Sequence, residues 1–392
     1  MSKQTNIPQL RFTEFEGEWE RKKLGEVVTN KSGKYNPEKE NNPVKCIELE
    51  HLTTESGQLL GYIDGSNSGS IKNKFEIGDI LFGKLRPYLK KYLQAHFDGV
   101  CSSEIWVLKG INISNEFLYR IVQTNSFIDL ANQSTGSKMP RADWSVVEKG
   151  IFSFPSLPEQ KRIASFFTVL DKKIAELKQK KNLLEQYKKG VMQKIFSQEL
   201  RFKDEKGKEF PKWEKKKLGN VAEINPRSES LPDTFIYIDL ESVVQGRLTK
   251  EDRINKSEAP SRAQRLLLKN DILFQMVRPY QKNNYFFDRD EKDFVASTGY
   301  AQIRTSGNSE FLFQFLHEET FVRKVIEKCT GTGYPAINST DLSNIIISIP
   351  SEKEQNKIAD FLAIVDDKLN RTENQLHQTQ QYKKGLIQNM FV

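Results

Sequence analysis

Two long stretches of the chain carry apolar side chains at alternating steps of three and four residues, the spacing of a helix that buries one narrow stripe. The first stretch follows Pro158, and the second lies at the C-terminal end. Polar residues, such as Lys181 in the first stretch and Thr372 in the second, interrupt both stripes. The candidate pairing positions are Ile163, Phe167, Leu170, Ile174, Leu177 and Leu184 in the first stretch, and Ile358, Leu362, Val365, Leu369 and Leu376 in the second.

The interrupted stripes predict that the two helices bury each other, because an apolar position on one helix can cover a polar gap on the other. If a pseudo-two-fold axis relates the two parts of the chain, the helices run antiparallel and one globular domain lies at each end. About 36 residues per helix, at ~1.5 Å per residue, would make a rod of ~54 Å. An alternative stays open, in which each helix packs only against its own domain.

Short blocks of sequence occur twice, in the same order, at an offset of about 190 to 195 residues. The segments between them, such as residues 30–75 and 222–265, share almost nothing. The matched blocks are Leu10-Arg11-Phe12 with Leu200-Arg201-Phe202, Asp79–Phe82 with Asp271–Phe274, Arg86-Pro87-Tyr88 with Arg278-Pro279-Tyr280, Glu159-Gln160 with Glu354-Gln355, and Gln186–Gly190 with Gln381–Gly385. A scaffold that is kept alike, with segments that differ, indicates two sites of one kind that recognise two different things.

Each globular part has strand-like segments before its helical segments, without regular strand–helix alternation, which argues against a doubly wound parallel sheet. The predicted strands are Val44–Leu49, Asp79–Leu85 and Glu104–Leu108 in the first part, and Phe235–Leu240, Asp271–Val277 and Phe294–Ile303 in the second. Helical segments are predicted over 115–132 and 310–327. The fold prediction is α+β: two similar domains over 1–155 and 200–350, and two long helices over 156–199 and 351–392 that form an antiparallel coiled coil.

Composition and charge narrow the function classes. Hydrophobic residues make up 37% of the 392 residues and charged residues 29%, which is enough apolar material for real cores and excludes a fully disordered chain. No apolar run is long enough to span a membrane, and the first residues do not resemble an export signal, so the expected compartment is the cytoplasm. Three cysteines and four histidines show no metal-ligand spacing. The net charge of +8 permits a polyanionic partner without requiring one.

Catalytic motifs are missing from the sequence. It contains no phosphate-binding loop, no HExxH, no GxSxG and no Asn-Pro-Pro-aromatic run of the kind that amino-methyltransferases use. A catalytic site would be expected in both copies or conspicuously in one. We therefore predict a binding protein without an active site or a bound metal.

Basic, aromatic and small residues at two matched places are candidates for contact with DNA, because cations bind phosphates and flexible loops approach base edges closely. The alternative is that both places are ordinary turns. The first place follows a predicted strand and comprises Lys84, Arg86, Tyr88, Lys90 and Lys91, with Arg278, Tyr280, Lys282 and Asn283 in the second copy. The second place is a Gly-containing loop and comprises Ser137, Lys138 and Arg141, with Thr332 and Tyr334 in the second copy.

Taken together, the blocks resemble the specificity subunit of type I restriction–modification enzymes over nearly the whole chain. The residues that carry the resemblance are the Pro-…-Glu-Gln-…-Ile-Ala helix entries at 155–164 and 350–359, the strands at 78–81 and 270–273, and the repeated Leu-Arg-Phe…Trp…Leu-Gly connector. In the second strand, Asn270 replaces the Gly78 of the first.

The resemblance implies that each variable domain reads one half of a split sequence in double-stranded DNA, and that the paired helices set the spacer and dock two methyltransferase subunits. It also implies that this chain binds no cofactor: S-adenosylmethionine belongs to the methyltransferase partners, and ATP and Mg²⁺ belong to motor–nuclease subunits. Two other functions stay open from the residues alone: a bivalent DNA-binding regulator that works without enzymes, and a coiled-coil adaptor that binds only protein.

Overall fold

A computed structural model describes residues 6–40, 42–133, 139–228, 230–331 and 333–391. The helices are α1 (Leu24–Val27), α2 (Asn115–Ile121), α3 (Asn125–Ala131), α4 (Trp144–Val147), α5 (Leu157–Phe196), α6 (Ser309–Phe315), α7 (Glu319–Glu327), α8 (Ser339–Ser343) and α9 (Glu352–Asn389). The two long helices predicted from the apolar stripes are thus α5 and α9, each continuous over its whole length.

The strands fall into two series. The first series is β1 (Glu20–Lys23), β2 (Val28–Thr29), β3 (Lys34–Tyr35), β4 (Lys45–Ile47), β5 (Ile63–Asp64), β6 (Lys72–Phe75), β7 (Ile80–Gly83), β8 (Tyr92–Gln94), β9 (Gly99–Cys101), β10 (Ile105–Gly110) and β11 (Ile151–Phe154). The second series is β12 (Glu214–Lys217), β13 (Ala222–Ile224), β14 (Thr234–Ile238), β15 (Val243–Val244), β16 (Arg247–Leu248), β17 (Arg253–Asn255), β18 (Ala263–Leu266), β19 (Asp271–Gln275), β20 (Tyr285–Phe287), β21 (Phe294–Ser297), β22 (Tyr300–Thr305) and β23 (Ile346–Ile349).

The chain divides into two compact units. Unit 1 consists of residues 1–178 and 374–392, and unit 2 consists of residues 179–373. Both boundaries fall inside a long helix, so each unit contains a globular domain, the first part of the helix that follows it and the last part of the other long helix.

Matched sheets form the framework of both domains. The antiparallel sheet β2-β10-β7-β8 of unit 1 has the same strand order as β13-β22-β19-β20 of unit 2, and the pair β1-β11 corresponds to β12-β23. The central strands β7 and β19 carry the repeated Asp-Ile-Leu-Phe block, and all four residues of β7 and all five of β19 are buried. The repeat therefore encodes the sheet on which each domain is built.

The segments that differ in sequence also share a topology. In unit 1, β6-β9-β4-β5 follow one another in a sheet whose edge is extended by β3, and in unit 2 the corresponding order is β18-β21-β14-β17. Both sheets have one parallel pair, β4 with β9 and β14 with β21. Sequence comparison missed this likeness because any alternating, half-buried strand can occupy such a position, whatever its residues.

Three of the predicted elements are wrong in extent. The predicted strand Phe294–Ile303 is two strands, β21 and β22, separated at Thr298 and Gly299. The predicted helices over 115–132 and 310–327 are each two short helices, because Thr124 and Glu318 accept a hydrogen bond from the backbone N–H three residues later and so begin a new helix. The period of the apolar residues continues through these caps, which is why it predicts one helix instead of two.

In unit 1, the first part of α5 packs antiparallel to the last part of α9. The Nζ of Lys383 lies 2.7 Å from Oδ1 of Asp171, and the ring of Phe391 lies 6.3 Å from that of Phe167. Ile163 and Phe167 share one hydrophobic core with Leu386, Ile387 and Met390, and that core also contains the domain's own Phe117 and Phe127. Each helix therefore packs against the other helix and against a domain at the same time.

In unit 2, the same arrangement is built from the other ends of the helices. Lys181 and Lys188 of α5 form ion pairs with Glu373 and Asp366 of α9, at 2.9 and 2.6 Å. As the residue number increases along α5, the number of its partner on α9 decreases, so the two helices run antiparallel here as well. The lysines that interrupt the apolar stripe of α5 are thus satisfied by carboxylates of α9.

Burial along both helices follows the predicted stripe. Ile163, Phe167, Leu177, Ile358, Leu362 and Val365 are buried, and Leu170, Ile174, Leu184, Leu369 and Leu376 are half-buried. Thr372, at a stripe position, is only 2% exposed, and its hydroxyl donates to the carbonyl of Lys368 at 2.8 Å. The backbone carbonyl of the preceding turn therefore satisfies the hydroxyl group inside the apolar stripe.

Candidate nucleic-acid interface

The Arg-Pro-Tyr turns have the same unusual backbone in both domains. After β7, Arg86 and Lys90 adopt left-handed conformations, with φ of 52° and 48°, on either side of a short 3₁₀ turn. After β19, Arg278 and Lys282 do the same, with φ of 53° and 54°. Left-handed backbone costs a residue other than glycine about 1–2 kcal/mol, so the surrounding structure must impose it at these matched positions.

Each turn is hydrogen-bonded to the Gly-containing loop that the sequence singled out separately. The backbone N–H of Arg86 donates to the carbonyl of Pro140 at 2.8 Å, and that of Arg278 donates to the carbonyl of Pro335 at 2.7 Å. In unit 1, the backbone N–H of Ala142 also donates to the carbonyl of Lys84 at 2.8 Å. The two candidate segments of each domain therefore form one surface. We call these surfaces tip 1 (residues 84–91 and 139–141) and tip 2 (residues 276–283 and 333–335).

Exposed basic and aromatic side chains cover tip 1. Arg86 is exposed, and within the described part of the chain its guanidinium has no hydrogen bond or ion pair. The ring of Tyr88 is 51% exposed. Arg141 is also exposed and forms an ion pair with Glu104 at 3.0 Å, and Lys84 is half-buried. Tip 1 thus exposes a planar cation and an aromatic ring two residues apart in the same turn.

Tip 2 repeats this composition with one difference. Tyr280 is 51% exposed and Tyr334 is 68% exposed, and the guanidinium carbon of Arg278 lies 4.2 Å from the centre of the Tyr334 ring. Cation–π stacking of this kind holds the guanidinium at a fixed place while its edge stays available for hydrogen bonds. The second tip therefore presents a pre-positioned arginine.

Two of the predicted lysines in unit 1 make contacts inside the domain. Lys90 forms an ion pair with Glu55 at 3.2 Å, and the Nζ of Lys91 donates to the carbonyl of Leu49 at 2.7 Å. Both contacts tie the turn to the variable loop over residues 49–55. These lysines thus hold the turn in place and are less available to a ligand than Arg86.

The corresponding residues of unit 2 have similar roles. The Nζ of Lys282 donates to the carbonyl of His317 at 3.0 Å and pairs with Glu319 at 3.1 Å. The side-chain carbonyl of Asn283 accepts from the backbone N–H of Gln245 at 3.0 Å. The remaining candidates, Ser137, Lys138 and Thr332, lie outside the described residues.

Sequence reasoning missed a buried charge at the start of β19, the end of that strand opposite tip 2. Asp271, at the start of β19, is fully buried and accepts two bonds from Arg304, at 2.7 and 2.8 Å, and one from Gln302 at 2.7 Å. The matching Asp79 pairs with Lys109 at 3.1 Å. The repetition of the aspartate was visible in the sequence, but its partners are distant along the chain and differ between the copies.

The repeated Glu-Gln at each helix entry is structural. Glu159 is 1% exposed and accepts two hydrogen bonds from Arg11, both 2.8 Å long. Glu354 accepts two from Arg201, at 3.1 and 2.7 Å. The side chain of Gln160 accepts a hydrogen bond from the backbone N–H of Ser114, the N-cap of α2, and donates one to the carbonyl of Pro155. Gln355 does the same with Asn308, the N-cap of α6, and Pro350. These blocks therefore lock connector, helix and domain together.

His317 lies behind the turn of tip 2, where its ring is buried. Its Nδ1–H donates to the carbonyl of Phe313 at 2.8 Å, and its own carbonyl accepts from Lys282. Burial, which disfavours a charged imidazolium, lowers the pKa of His317 to about 4. The ring is therefore neutral at neutral pH.

We expect unit 2 to lose stability in acid because of this histidine. The pKa of His317 in the folded protein lies below the ordinary value of about 6.5, so the unfolded chain binds the proton more readily. The stability that the neutral histidine contributes is therefore complete above pH 6.5 and is lost as the pH falls toward 4. The expected loss between pH 7 and pH 5 is about 2 kcal/mol. Hydrogen–deuterium exchange of α6 and α7 measures it, and His317→Gln, the residue that the first domain has as Gln123, should flatten the dependence. Equal pH dependence of the two proteins would contradict the assignment.

Across the ranges given above, no group of three or more His, Cys, Asp or Glu side chains could hold a metal ion. None of the helices in those ranges has the length and apolar character that crossing a membrane requires.

Comparison with known proteins gives a consistent result. The family described as "Type I restriction modification DNA specificity domain" matches the chain twice, over residues 16–186 and 211–379. The MjaVIII type I restriction enzyme specificity subunit of Methanocaldococcus jannaschii is 26% identical over 370 residues, which cover 88% of this chain and 80% of that protein. The HindI specificity subunit of Haemophilus influenzae is 28% identical over 188 residues, 46% of this chain and 41% of that protein.

Solved structures show the same fold. The S subunit of a type I restriction–modification system from M. genitalium superposes with a TM-score of 0.62 at 14% identity, covering 98% of this chain and 99% of that one. A chain from a study of assembly and conformational transition in a type I system superposes with a TM-score of 0.58 at 19% identity, covering 94% and 96%. With two family matches that together span most of its length, the chain belongs to the family of type I restriction–modification specificity subunits.

Proposed function

We propose that this protein is the non-catalytic DNA-recognition subunit of a type I restriction–modification complex. Each domain reads one half of a bipartite, non-palindromic sequence in double-stranded DNA. The observation that carries the proposal is the pair of tips: the same strained turn presents an arginine, exposed in tip 1 and half-buried in tip 2, and an exposed tyrosine in both domains, while the sheet beside each turn differs in sequence. A DNA target with two unlike halves requires two domains that bind DNA in the same way but contact different bases.

The chemistry of the tips suits DNA. An arginine guanidinium binds a phosphate or the O6 and N7 of guanine through two parallel hydrogen bonds, and a tyrosine hydroxyl donates to phosphate oxygens. The tips differ where base contacts would be made, because tip 1 has Met139 and Arg141 where the second domain has Tyr334 of tip 2 and Ala336 next to it. This difference supports reading of different bases.

The long helices are the proposed docking surface for two methyltransferase subunits. The repeated segments 186–190 and 381–385 both expose a tyrosine at matched positions of α5 and α9, Tyr187 at 51% and Tyr382 at 58%. Two equivalent surfaces fit two copies of one partner. S-adenosylmethionine would be held by those partners, and ATP and Mg²⁺ by motor–nuclease subunits, all acting in the cytoplasm on chromosomal DNA.

The proposal is tested by co-expressing this chain with the methyltransferase encoded in the same genome. We expect one copy of this chain to purify with two methyltransferase copies, and methyl transfer to host DNA to require both proteins. If the methyltransferase modifies the same sequence without this chain, the proposal fails. If this chain binds DNA specifically but no methyltransferase associates with it, a stand-alone regulator is the better assignment.

We expect Arg86→Ala and Arg278→Ala each to weaken DNA binding by the assembled complex. The loss should be about 1–3 kcal/mol where the arginine contacts a base, or a smaller loss with a shallower salt dependence where it contacts a phosphate. Fluorescence anisotropy at two salt concentrations separates the two cases. Arg21→Ala, which removes an exposed guanidinium from β1, outside both tips and both long helices, is the control. Affinities of both tip variants within error of this control would show that the tips do not contact DNA.

A further inference from the structure

Unit 2 contains a cavity of about 630 Å³ where the domain meets the two long helices. Its walls come from Phe313 and Gln314 of α6, His317 after it, Met192 of α5, and Asp366 and Leu369 of α9. The cavity borders tip 2 through Gln281 and Lys282, but neither Arg278 nor Tyr280 lines it. Its size suits a ligand of roughly drug-like dimensions.

An arginine side chain fills the corresponding place in unit 1. Arg120 of α2 is 2% exposed, and its guanidinium donates to Asp171 at 2.5 Å and to the hydroxyl of Thr168 at 3.1 Å. Its guanidinium carbon also lies 4.9 Å from the centre of the Tyr119 ring. Lys383 pairs with the same aspartate at 2.7 Å. The carboxylate of Asp171 and the ring of Tyr119 thus both contact the guanidinium of Arg120.

Unit 2 keeps the carboxylate, the lysine and the neighbouring ring of that site but lacks the guanidinium, and Ala363 stands where unit 1 has Thr168. When α2 and α6 are aligned at their N-caps, Ser114 and Asn308, Tyr119 and Arg120 of the first domain correspond to Phe313 and Gln314 of the second. The aromatic ring is therefore kept, and glutamine replaces arginine. The offset of 195 residues between the helices places Asp366 at the position of Asp171, and Lys188 at that of Lys383.

The shorter glutamine leaves the space unfilled. Its side-chain amide donates to Asp366 at 2.7 Å, and Lys188 pairs with the same carboxylate at 2.6 Å. A carboxylate has about four acceptor sites, so further donors can bind it. A second difference lies beside the ring. In the first domain, the ring of Tyr92 packs against that of Tyr119 at 5.8 Å, and the smaller Asn284 takes the position of Tyr92 in the second domain.

We propose that the cavity of unit 2 binds a small molecule with a guanidinium group, which stacks on Phe313 and donates to Asp366 as Arg120 does in the first domain. The charges around it are compatible with a cation. The cations that line it are each paired with a carboxylate: Lys188 with Asp366, Lys189 and Lys282 with Glu319, and Arg247 with Glu373. His317 is neutral because burial lowers its pKa. A planar guanidinium satisfies the ring and the carboxylate together, which a point-like ammonium does less well.

The test is a calorimetric titration of the full chain with agmatine, and with 1,5-diaminopentane as a dication of similar length that has no guanidinium. We expect agmatine to bind at one site per chain and the diamine to bind at least tenfold more weakly. Gln314→Arg supplies the guanidinium from the chain itself, so it should weaken agmatine binding at least tenfold and raise the thermal midpoint. Phe313→Leu removes the ring and should also weaken binding.

Arg120→Gln is the matched control in the first domain. It should open a second cavity and raise the stoichiometry toward two, provided that near-ultraviolet circular dichroism shows an unchanged fold. Equal affinity for agmatine and the diamine, or unchanged binding by a folded Gln314→Arg, would overturn the proposal. If agmatine binds the free chain but not the complex with methyltransferase, an arginine side chain of the partner occupies the site. None of these results depends on which DNA sequence is read.

Discussion

Replacing residues 30–140 with the corresponding segment of another specificity subunit is expected to change one half of the modified DNA sequence and to leave the other half unchanged. The segment contains the sheet β3-β6-β9-β4-β5 and the Arg86 turn of tip 1, so it carries what we assign to reading the first half-site except Arg141. The helix entry at Glu159 and Gln160 lies outside it, and Gln160 accepts a hydrogen bond from the backbone N–H of Ser114 at the start of α2. Arg120 of the segment also pairs with Asp171 of α5, so the donor segment must keep both contacts.

The reciprocal exchange is the control. Replacing residues 222–335, which carry tip 2 and the sheet β17-β14-β21-β18, should change only the other half-site. Both chimaeras are co-expressed with the methyltransferase, and the modified sequences are read from total DNA. An unchanged sequence after replacement of residues 30–140, or a change in both halves, would show that the domains do not read separately.

Glu159→Ala and Glu354→Ala are each expected to destabilise one unit by about 3–5 kcal/mol, because removal of one partner leaves an arginine charge largely buried and unpaired. Glu159 and Glu354 are 1% and 0% exposed, and each accepts two hydrogen bonds from an arginine of the connector. The glutamates also fix where each domain joins its helix. A loss of this size is a large fraction of the stability of an ordinary domain.

Urea denaturation of each variant measures this effect, with hydrogen–deuterium exchange to assign it to one unit. Glu20→Ala removes a 70% exposed partner of Lys22 and should cost less than about 0.5 kcal/mol. Glu159→Ala should open unit 1 and Glu354→Ala should open unit 2. Losses below 1 kcal/mol for both variants would mean that the repeated Glu-Gln is not what joins connector, helix and domain.

Much of the framework could be predicted because it is encoded locally. The alternating spacing of Ile163, Phe167 and Leu177 follows from the helix repeat, and these residues are buried in the structure. Polar residues on the stripe were harder to interpret, because Lys188 is satisfied only by Asp366, which lies far along the chain. Helix boundaries within the domains were missed where the caps at Thr124 and Glu318 interrupt a continuing apolar pattern.

The candidate site was predictable in composition and less so in arrangement. Repetition identified Arg86 and Arg278, but only the long-range hydrogen bonds to Pro140 and Pro335 bring turn and loop into one surface. Sequence could not distinguish Lys90, which pairs with Glu55, from Arg86, which faces solvent, because both are cations in one short segment. Such differences depend on tertiary contacts that leave no local signal.

The most direct test of the central claim is single-molecule sequencing of methylated bases in DNA from cells that express this chain with its methyltransferase. The account predicts one modified sequence with two unlike specified halves and an unspecified spacer of fixed length, and loss of that modification when this chain is deleted. A palindromic or continuous modified sequence, or modification that persists without this chain, would contradict the claim that two different domains on one chain each read half of the target.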